Sequence, residues 1–160
     1  MLNKHQTEMS VLVTPEMTNF HGNMHGGDIL KLLDRVAYTC ATRYCGQYTV
    51  TLSVDKVIFK QSIKIGELIT FLASVNYTGR TSMEIGVKVI AEDIKNQHVR
   101  HTNTCYFTMV AVDADGKAVP VPKLEPQESK EIQRFQLAEQ RREQRILQQK
   151  TDAMIKRNTI

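Results

Sequence analysis

Residues 18–34 read TNFHGNMHGGDILKLLD and hold most of the chain's candidate chemistry. Asn19 offers an amide, His21 and His25 offer imidazoles, Gly26-Gly27 leave the backbone open, and Asp34 offers a carboxylate. A Gly-Gly pair just before a helical pattern lets a ligand approach the free N–H groups at the helix start. Those groups and the helix dipole can polarise an acyl oxygen. The plainer reading is a tight entry turn, because glycine relaxes the backbone whether or not a ligand is present. Asn19 ahead of Gly22 fits an Asx turn as well as an amide that holds a water or a carbonyl. Asp28 could do no more than favour the positive helix end. Neither His has a Ser or Cys near it in a triad pattern, so both are assigned to loop packing or ligand contact.

Asp34 is the sharpest of these residues. It borders an apolar stripe, between Leu33 and Ala37. A carboxylate in such a half-desolvated place gains the basicity that general-base work needs. The alternative is a surface pair with Lys31, three residues earlier on the same side. Asp34 lies seven residues beyond Gly27, about 10 Å along a helix axis. It cannot easily reach an acyl carbon held at the start of its own helix. If both features serve one reaction, they come from different subunits. Two helices packed side by side and antiparallel would bring each Asp34 near the other's Gly27. The spacing therefore predicts a dimer with two sites at its interface.

These residues need an element to carry them. Ile29, Leu33, Val36, Ala37, Cys40 and Tyr44 recur at three- and four-residue steps and share one helical face. Gly46 is a natural stop, so a helix is expected over Gly27–Cys45. Period-two runs follow. Val50, Leu52, Val54 and Ile58 alternate with polar residues; so do Ile69, Phe71, Ala73, Val75 and Tyr77. Met83, Ile85, Val87, Val89 and Ala91 form the cleanest run, and Cys105, Phe107, Met109 and Ala111 the last. A shorter strand is expected at Met9–Val13, ended by Pro15. The short breaks favour antiparallel neighbours. The expected fold is α+β: a curved antiparallel sheet of about five strands wrapped around one long helix. Tyr77, Val110 and Val112 suggest apolar surface left over, and so an oligomer.

Length and composition narrow the rest. The 160 residues suit one domain, expected at residues 1–125, followed by a charged helical extension at 126–160. That extension, densest from Glu128 to Lys150, has sparse apolar points at Ile132, Phe135, Ala138, Ile146 and Leu147, as in a solvated terminal helix. The net charge of +4 is scattered, not clustered with aromatics. It suits anionic ligands and argues against nucleic acid as a partner. Cys40, Cys45 and Cys105 show no metal-ligand spacing and read as free thiols in a reducing compartment. The N-terminus lacks the apolar core of a signal peptide, and no run is long enough to span a membrane. A cytoplasmic protein without membrane insertion or metal is expected.

The spaced Asn, Gly, Gly-Gly and Asp of residues 19–34 resemble the signature of hot-dog-fold acyl-CoA thioesterases. The similar group is the bacterial acyl-CoA thioester hydrolases, related to the eukaryotic cytosolic and brain-type enzymes. The resemblance extends through SVDKVIFKQSIKIGELI, GRTSMEIGVKV and FTMVAVDADGKAVPVPKLEP into the charged C-terminal helix. It implies the hot-dog fold and hydrolysis of acyl-CoA to a free fatty acid and CoA. It implies Asn19 as the residue that positions water or carbonyl, and Asp34 of the neighbouring subunit as general base or nucleophile. The Gly27 amide would polarise the thioester carbonyl, beside Gly26. The resemblance places the nucleotide part of CoA on Gly79, Arg80, Thr81 and Ser82, where Arg80 suits a phosphate. Ser53 and Val54 would line the pantetheine tunnel. No cofactor is implied, since coenzyme A belongs to substrate and product. Dimers with shared sites, assembled as trimers into hexamers, are implied too. Nucleotide regulation occurs in some relatives and cannot be assigned from these residues.

Two other classes share the architecture. Hot-dog dehydratases need a His with a carboxylate on the partner chain, and neither His21 nor His25 precedes the Pro-Gly turn of those enzymes. An acyl-CoA-binding regulator wants an added DNA-binding helix pair, and a scaffold role would leave the Asn19 and Asp34 pair unexplained.

Overall fold

The computed structural model describes residues 4–159, with side chains described as far as residue 157. Five strands form one sheet: β1 (Gln6–Leu12), β2 (Tyr48–Val54), β3 (Leu68–Thr78), β4 (Ser82–Asp93) and β5 (His98–Val112). Their order is β1-β3-β4-β5-β2, and every neighbouring pair is antiparallel. The sheet curls around α1 (Gly26–Cys45), which packs against all five strands. This is the curled antiparallel sheet around one helix that the alternating runs led us to expect, and the hot-dog arrangement that the resemblance implied.

The period-two runs explain the core. Ile69, Phe71, Ala73 and Val75 of β3 are buried, as are Met83 to Ala91 of β4 at alternate positions and Cys105 to Ala111 of β5. They meet Ile29, Leu32, Leu33, Val36, Ala37, Cys40 and Ala41 of α1. Burying one such Leu, Ile or Phe side chain contributes about 1.5–3 kcal/mol.

The helix begins one residue earlier than expected. His25 is its N-cap, and the amides of Asp28 and Ile29 both turn onto the His25 carbonyl. It ends at Gly46, whose φ of 69° is in the left-handed region that glycine adopts without strain.

Three strands depart from simple alternation: β2, β3 and β5, where Thr102 is left out opposite Val89 and Ile90 and is buried together with Asn103. In β2 the register shifts between Thr51 and Ser53, leaving Leu52 out of the ladder. The strand stops at Val54, so Ile58 lies in the loop that follows and not on a strand. Val50, before the shift, is exposed like Leu52 and Val54 after it, and Ile58 in the loop is exposed too. Thr49 is buried, so β2 turns its apolar residues outward along its length. In β3 a shift between Val75 and Tyr77 buries Asn76 and Thr78 and leaves Tyr77 half-buried. Val112 is buried as well. The most exposed apolar residues are elsewhere than Tyr77, Val110 and Val112: Val50, Leu52 and Val54 of β2 are exposed, as are Leu12, Phe20 and Leu72, while Tyr77 and Val110 are half-buried. β1 also starts earlier than expected and ends at Leu12, with Val13 buried just beyond it.

The chain divides into two compact units after Lys123. In the second, α2 runs from Ser129 to Thr159, further than the charge pattern suggested. No Gly or Pro follows Pro126 to stop it. Glu131 accepts the amides of Gln127 and Glu128 and so closes its first turn. Among the described residues, no helix is long and apolar enough to cross a membrane.

Candidate functional site

The loop before α1 is built around Asn19. Its Oδ1 accepts the amides of His21 (2.9 Å) and Asn23 (3.2 Å), an Asx turn. Its backbone closes the same turn: the Asn19 amide donates to Asn23 O, and Gly22 donates to Asn19 O. Gly22 has a φ of 72°, which only glycine takes easily. Both partners of the Asn19 side chain are N–H donors, so its oxygen faces them and its Nδ2 turns the other way. Asn19 thus presents a donor, not an acceptor, to anything beyond the loop. His21 and His25 are both exposed.

The start of α1 carries no side-chain cap. The amides of Gly26 and Gly27 therefore head the helix without a side chain over them. The two glycines differ. A Cβ at Gly26 would stand 3.3 Å from the ring of Phe59, so this residue is small for packing. A Cβ at Gly27 would meet nothing within 4 Å, and Gly27 is exposed.

Asp34 is exposed in the single chain, more open than the edge of a buried stripe suggested. It is not adrift. Thr51 Oγ1 on β2 donates to Asp34 Oδ1 over 2.6 Å. A hollow of about 570 Å³ lies beside the pair, walled by Arg35, Tyr38, Tyr48 and Val50. The rings of Tyr38 and Tyr48 meet edge to face, 6.1 Å between centroids. Thr51 was not among the residues singled out in the sequence. It sits in a strand 17 residues after Asp34, and no local motif points to it.

The β3–β4 hairpin holds Gly79, Arg80, Thr81 and Ser82. Gly79 donates its amide to Ser82 O (2.8 Å), and the carbonyls of Arg80 and Thr81 accept the amides of Val121 and Ala111. The Arg80 side chain is exposed. Ser53 is half-buried and Val54 exposed, paired with Thr108 and Phe107 of β5. Ser82 pairs with Val110, and Val110 with Val50, so the hairpin lies at the level of Thr51. The loop of Asn19 is at the opposite end of the sheet. It is bound to the segment before Leu68, the first residue of β3, whereas the hairpin follows Thr78, the last. An 11-residue strand spans roughly 33 Å. One chain therefore places Asn19 in the loop that leads into Gly26 and Gly27, and separately bonds Asp34 to Thr51. It does not bring residues 79–82 to Gly27.

A second polar cluster sits beneath the Asn19 loop. Arg100 of β5 grips the Glu67 carboxylate with both arms, at 2.6 and 2.8 Å, and also donates to Ser62 O at 2.7 Å. The Arg100 bond holds the Glu67 carboxyl below its usual range. Among the described residues, no group of His, Cys, Asp and Glu is placed to hold a metal ion.

Residues 21–97 match the model of the thioesterase superfamily. Protein VdlD of Helicobacter pylori (strain ATCC 700392 / 26695) is 58% identical over 86% of this chain and 78% of its own. The uncharacterized acyl-CoA thioester hydrolase YkhA of Bacillus subtilis is 36% identical over 83% of this chain and 77% of its own. Among solved structures, an acyl-CoA hydrolase from Staphylococcus aureus in complex with butyryl coenzyme A, coenzyme A and coenzyme A disulfide superposes with a TM-score of 0.87. It is 30% identical and covers 98% of this chain and 96% of its own. An apo-hexameric acyl-CoA thioesterase also reaches 0.87, at 36% identity, covering 91% of this chain and 93% of its own. The S. aureus hydrolase has further been solved as single alanine variants of an Asn, an Asp and a Thr, the Asn variant with coenzyme A. Those three residues are separated by 15 and 17 positions, as Asn19, Asp34 and Thr51 are here.

Proposed function

Since this chain belongs to the hot-dog thioesterase superfamily, we propose that it hydrolyses acyl-CoA to a free fatty acid and coenzyme A in a site shared by two copies. The observation that carries the reading is the division of the site residues. Asn19 and Gly27 stand at one end of the sheet. Asp34 and Thr51 stand on the face beside β2, with an open hollow next to them. Neither group alone can both hold and attack a thioester.

In this reading the Gly27 amide and Asn19 Nδ2 donate to the thioester oxygen, where negative charge gathers as the carbonyl carbon turns tetrahedral. Asp34 of the other copy takes a proton from a water molecule, whose oxygen bonds to that carbon. The carbon–sulfur bond then breaks, and the coenzyme A sulfur leaves with the proton that Asp34 returns. Thr51 occupies Oδ1 of Asp34, which leaves Oδ2 to face the water. No cofactor enters this chemistry. The hairpin 79–82 would hold the nucleotide part of coenzyme A with Arg80, and Ser53 and Val54 would flank the pantetheine.

The second copy would cover the free edge of β2, where Tyr48, Val50, Leu52 and Val54 are exposed. Hexameric relatives support a trimer of such dimers. The free thiols of Cys40, Cys45 and Cys105 support a cytoplasmic setting.

The test is thiol release from a panel of acyl-CoA chain lengths, followed by subunit mixing. Asn19→Ala and Asp34→Ala proteins should each lose at least about 100-fold in rate, with the oligomer intact. Each mixed dimer would carry one intact site, so an equal mixture should recover roughly a quarter of native activity. No release from any chain length would sink the enzyme reading. Failure to recover activity after verified exchange would sink the shared site.

A further inference from the structure

We propose that the Arg100–Glu67 ion pair is the device that positions Asn19, so that both are positioning residues for the reaction although neither adjoins it in sequence. The inference rests on the role given to Asn19 above; the bonds that connect the three residues do not. Asn19 sits in an irregular loop, and loops hold a donor to the fraction of an ångström that catalysis needs only when something rigid braces them.

The bracing runs through named bonds. Glu67 Oε2 accepts the Lys64 amide at 2.7 Å, and the Glu67 amide donates to Lys64 O at 3.2 Å, which closes the turn 64–67. Gly66, at a φ of 82°, permits that turn. Arg100 grips the same carboxylate and takes Ser62 O, so three points of segment 62–67 are tied to β5. The segment thereby offers Ile63 O to the Met24 amide (2.7 Å) and the Ile65 amide to Gly22 O (3.0 Å). Gly22 and Asn23 are the residues on which the Asn19 turn closes. Glu67 is 7% exposed and the Arg100 side chain 19%, so the pair is partly shielded from the screening that makes surface ion pairs weak. A planar guanidinium suits this place because it serves two carboxylate oxygens and a carbonyl at once, which an ammonium cannot match.

The experiment compares Glu67→Gln and Arg100→Lys with the native chain, alone and combined with Asn19→Ala. Loosening a group that acts in the transition state should lower kcat by about tenfold and change KM less than about twofold. In the Asn19→Ala background the residual rate should not fall further, because the group being positioned is already gone. An equal further loss in that background would overturn the proposal, since it would mean general destabilisation. Hydrogen exchange gives a reading independent of any substrate. The amides of Asn23, Met24 and Ile65 should exchange at least about tenfold faster in Glu67→Gln, while β3 and β4 amides such as those of Phe71 and Val87 keep their native rates. Native exchange at all three loop amides would overturn the brace. An inactive native enzyme with faster loop exchange would instead locate the failure in the functional reading.

Discussion

Thr51 Oγ1 stands 2.6 Å from Asp34 Oδ1, and this bond ties the edge strand β2 to the middle of α1. It fixes which carboxylate oxygen is taken and which faces outward. It also gives the exposed face of α1 a defined chemical polarity beside the exposed apolar residues of β2. Those residues, and the register shift that leaves Leu52 out of the ladder, are where a second copy has something to cover.

Replacing Thr51 by valine keeps the shape of the side chain and removes the donor. A hydrogen bond to a charged group contributes about 1.5–3 kcal/mol, so kcat for thiol release should fall roughly 10–100-fold in Thr51→Val. Thr51→Ser should remain within about threefold of native. Equal rates for all three chains would remove Thr51 from the mechanism.

Asn19→Asp separates the loop from the reaction. The new carboxylate still accepts the amides of His21 and Asn23, so the Asx turn should survive and the melting temperature should hold within about 2 °C. The Nδ2 donor is gone, and kcat should drop about 100–1,000-fold. A chain that keeps native turnover would show that Asn19 serves only its own turn.

Gly27→Ala asks why that glycine is there. The added methyl meets nothing within 4 Å. Alanine favours a helix over glycine by up to about 1 kcal/mol, so thermal stability should be unchanged or slightly higher. If Gly27 is small so that a thioester can approach its amide, KM should rise and kcat fall in that more stable protein. Native kinetics with raised stability would mark Gly27 as an ordinary entry residue.

The cysteines should respond unequally to a thiol reagent. Burial pushes the Cys40 thiol up to about 11 and the Cys105 thiol up to about 12. At pH 8 both stay protonated and enclosed, while Cys45 is half-buried. Titration of the native protein should therefore show one fast thiol, with all three appearing in denaturant. Loss of the fast signal in Cys45→Ser would confirm its source, and would give an assay background free of fast-reacting protein thiol. Fast labelling of Cys105 in the native chain would contradict the packed core described for β5.

The fold was legible because its physics is local. Alternating apolar residues in β3, β4 and β5 must put one face inward, and a stripe at three- and four-residue steps must seek a broad surface. The residue types from Asn19 to Asp34 were legible too, and so was the axial distance between Gly27 and Asp34. What the sequence could not contain was any relation made by pairing across distance. The apolar face of β2 turned outward because Thr49 and Thr51 meet Thr42 and Asp34 of α1, a relation that neither segment shows alone. Thr51 reached Asp34, and Arg100 reached Glu67, only because the curled sheet brought together residues 17 and 33 positions apart. The orientation of the Asn19 amide was decided in the same way, by the two backbone N–H groups that the folded loop turns toward its oxygen. Sequence determined which chemical groups the chain owns and which faces are apolar; tertiary structure decided which of those groups meet, because hydrogen bonds act over a few ångströms in space regardless of distance along the chain.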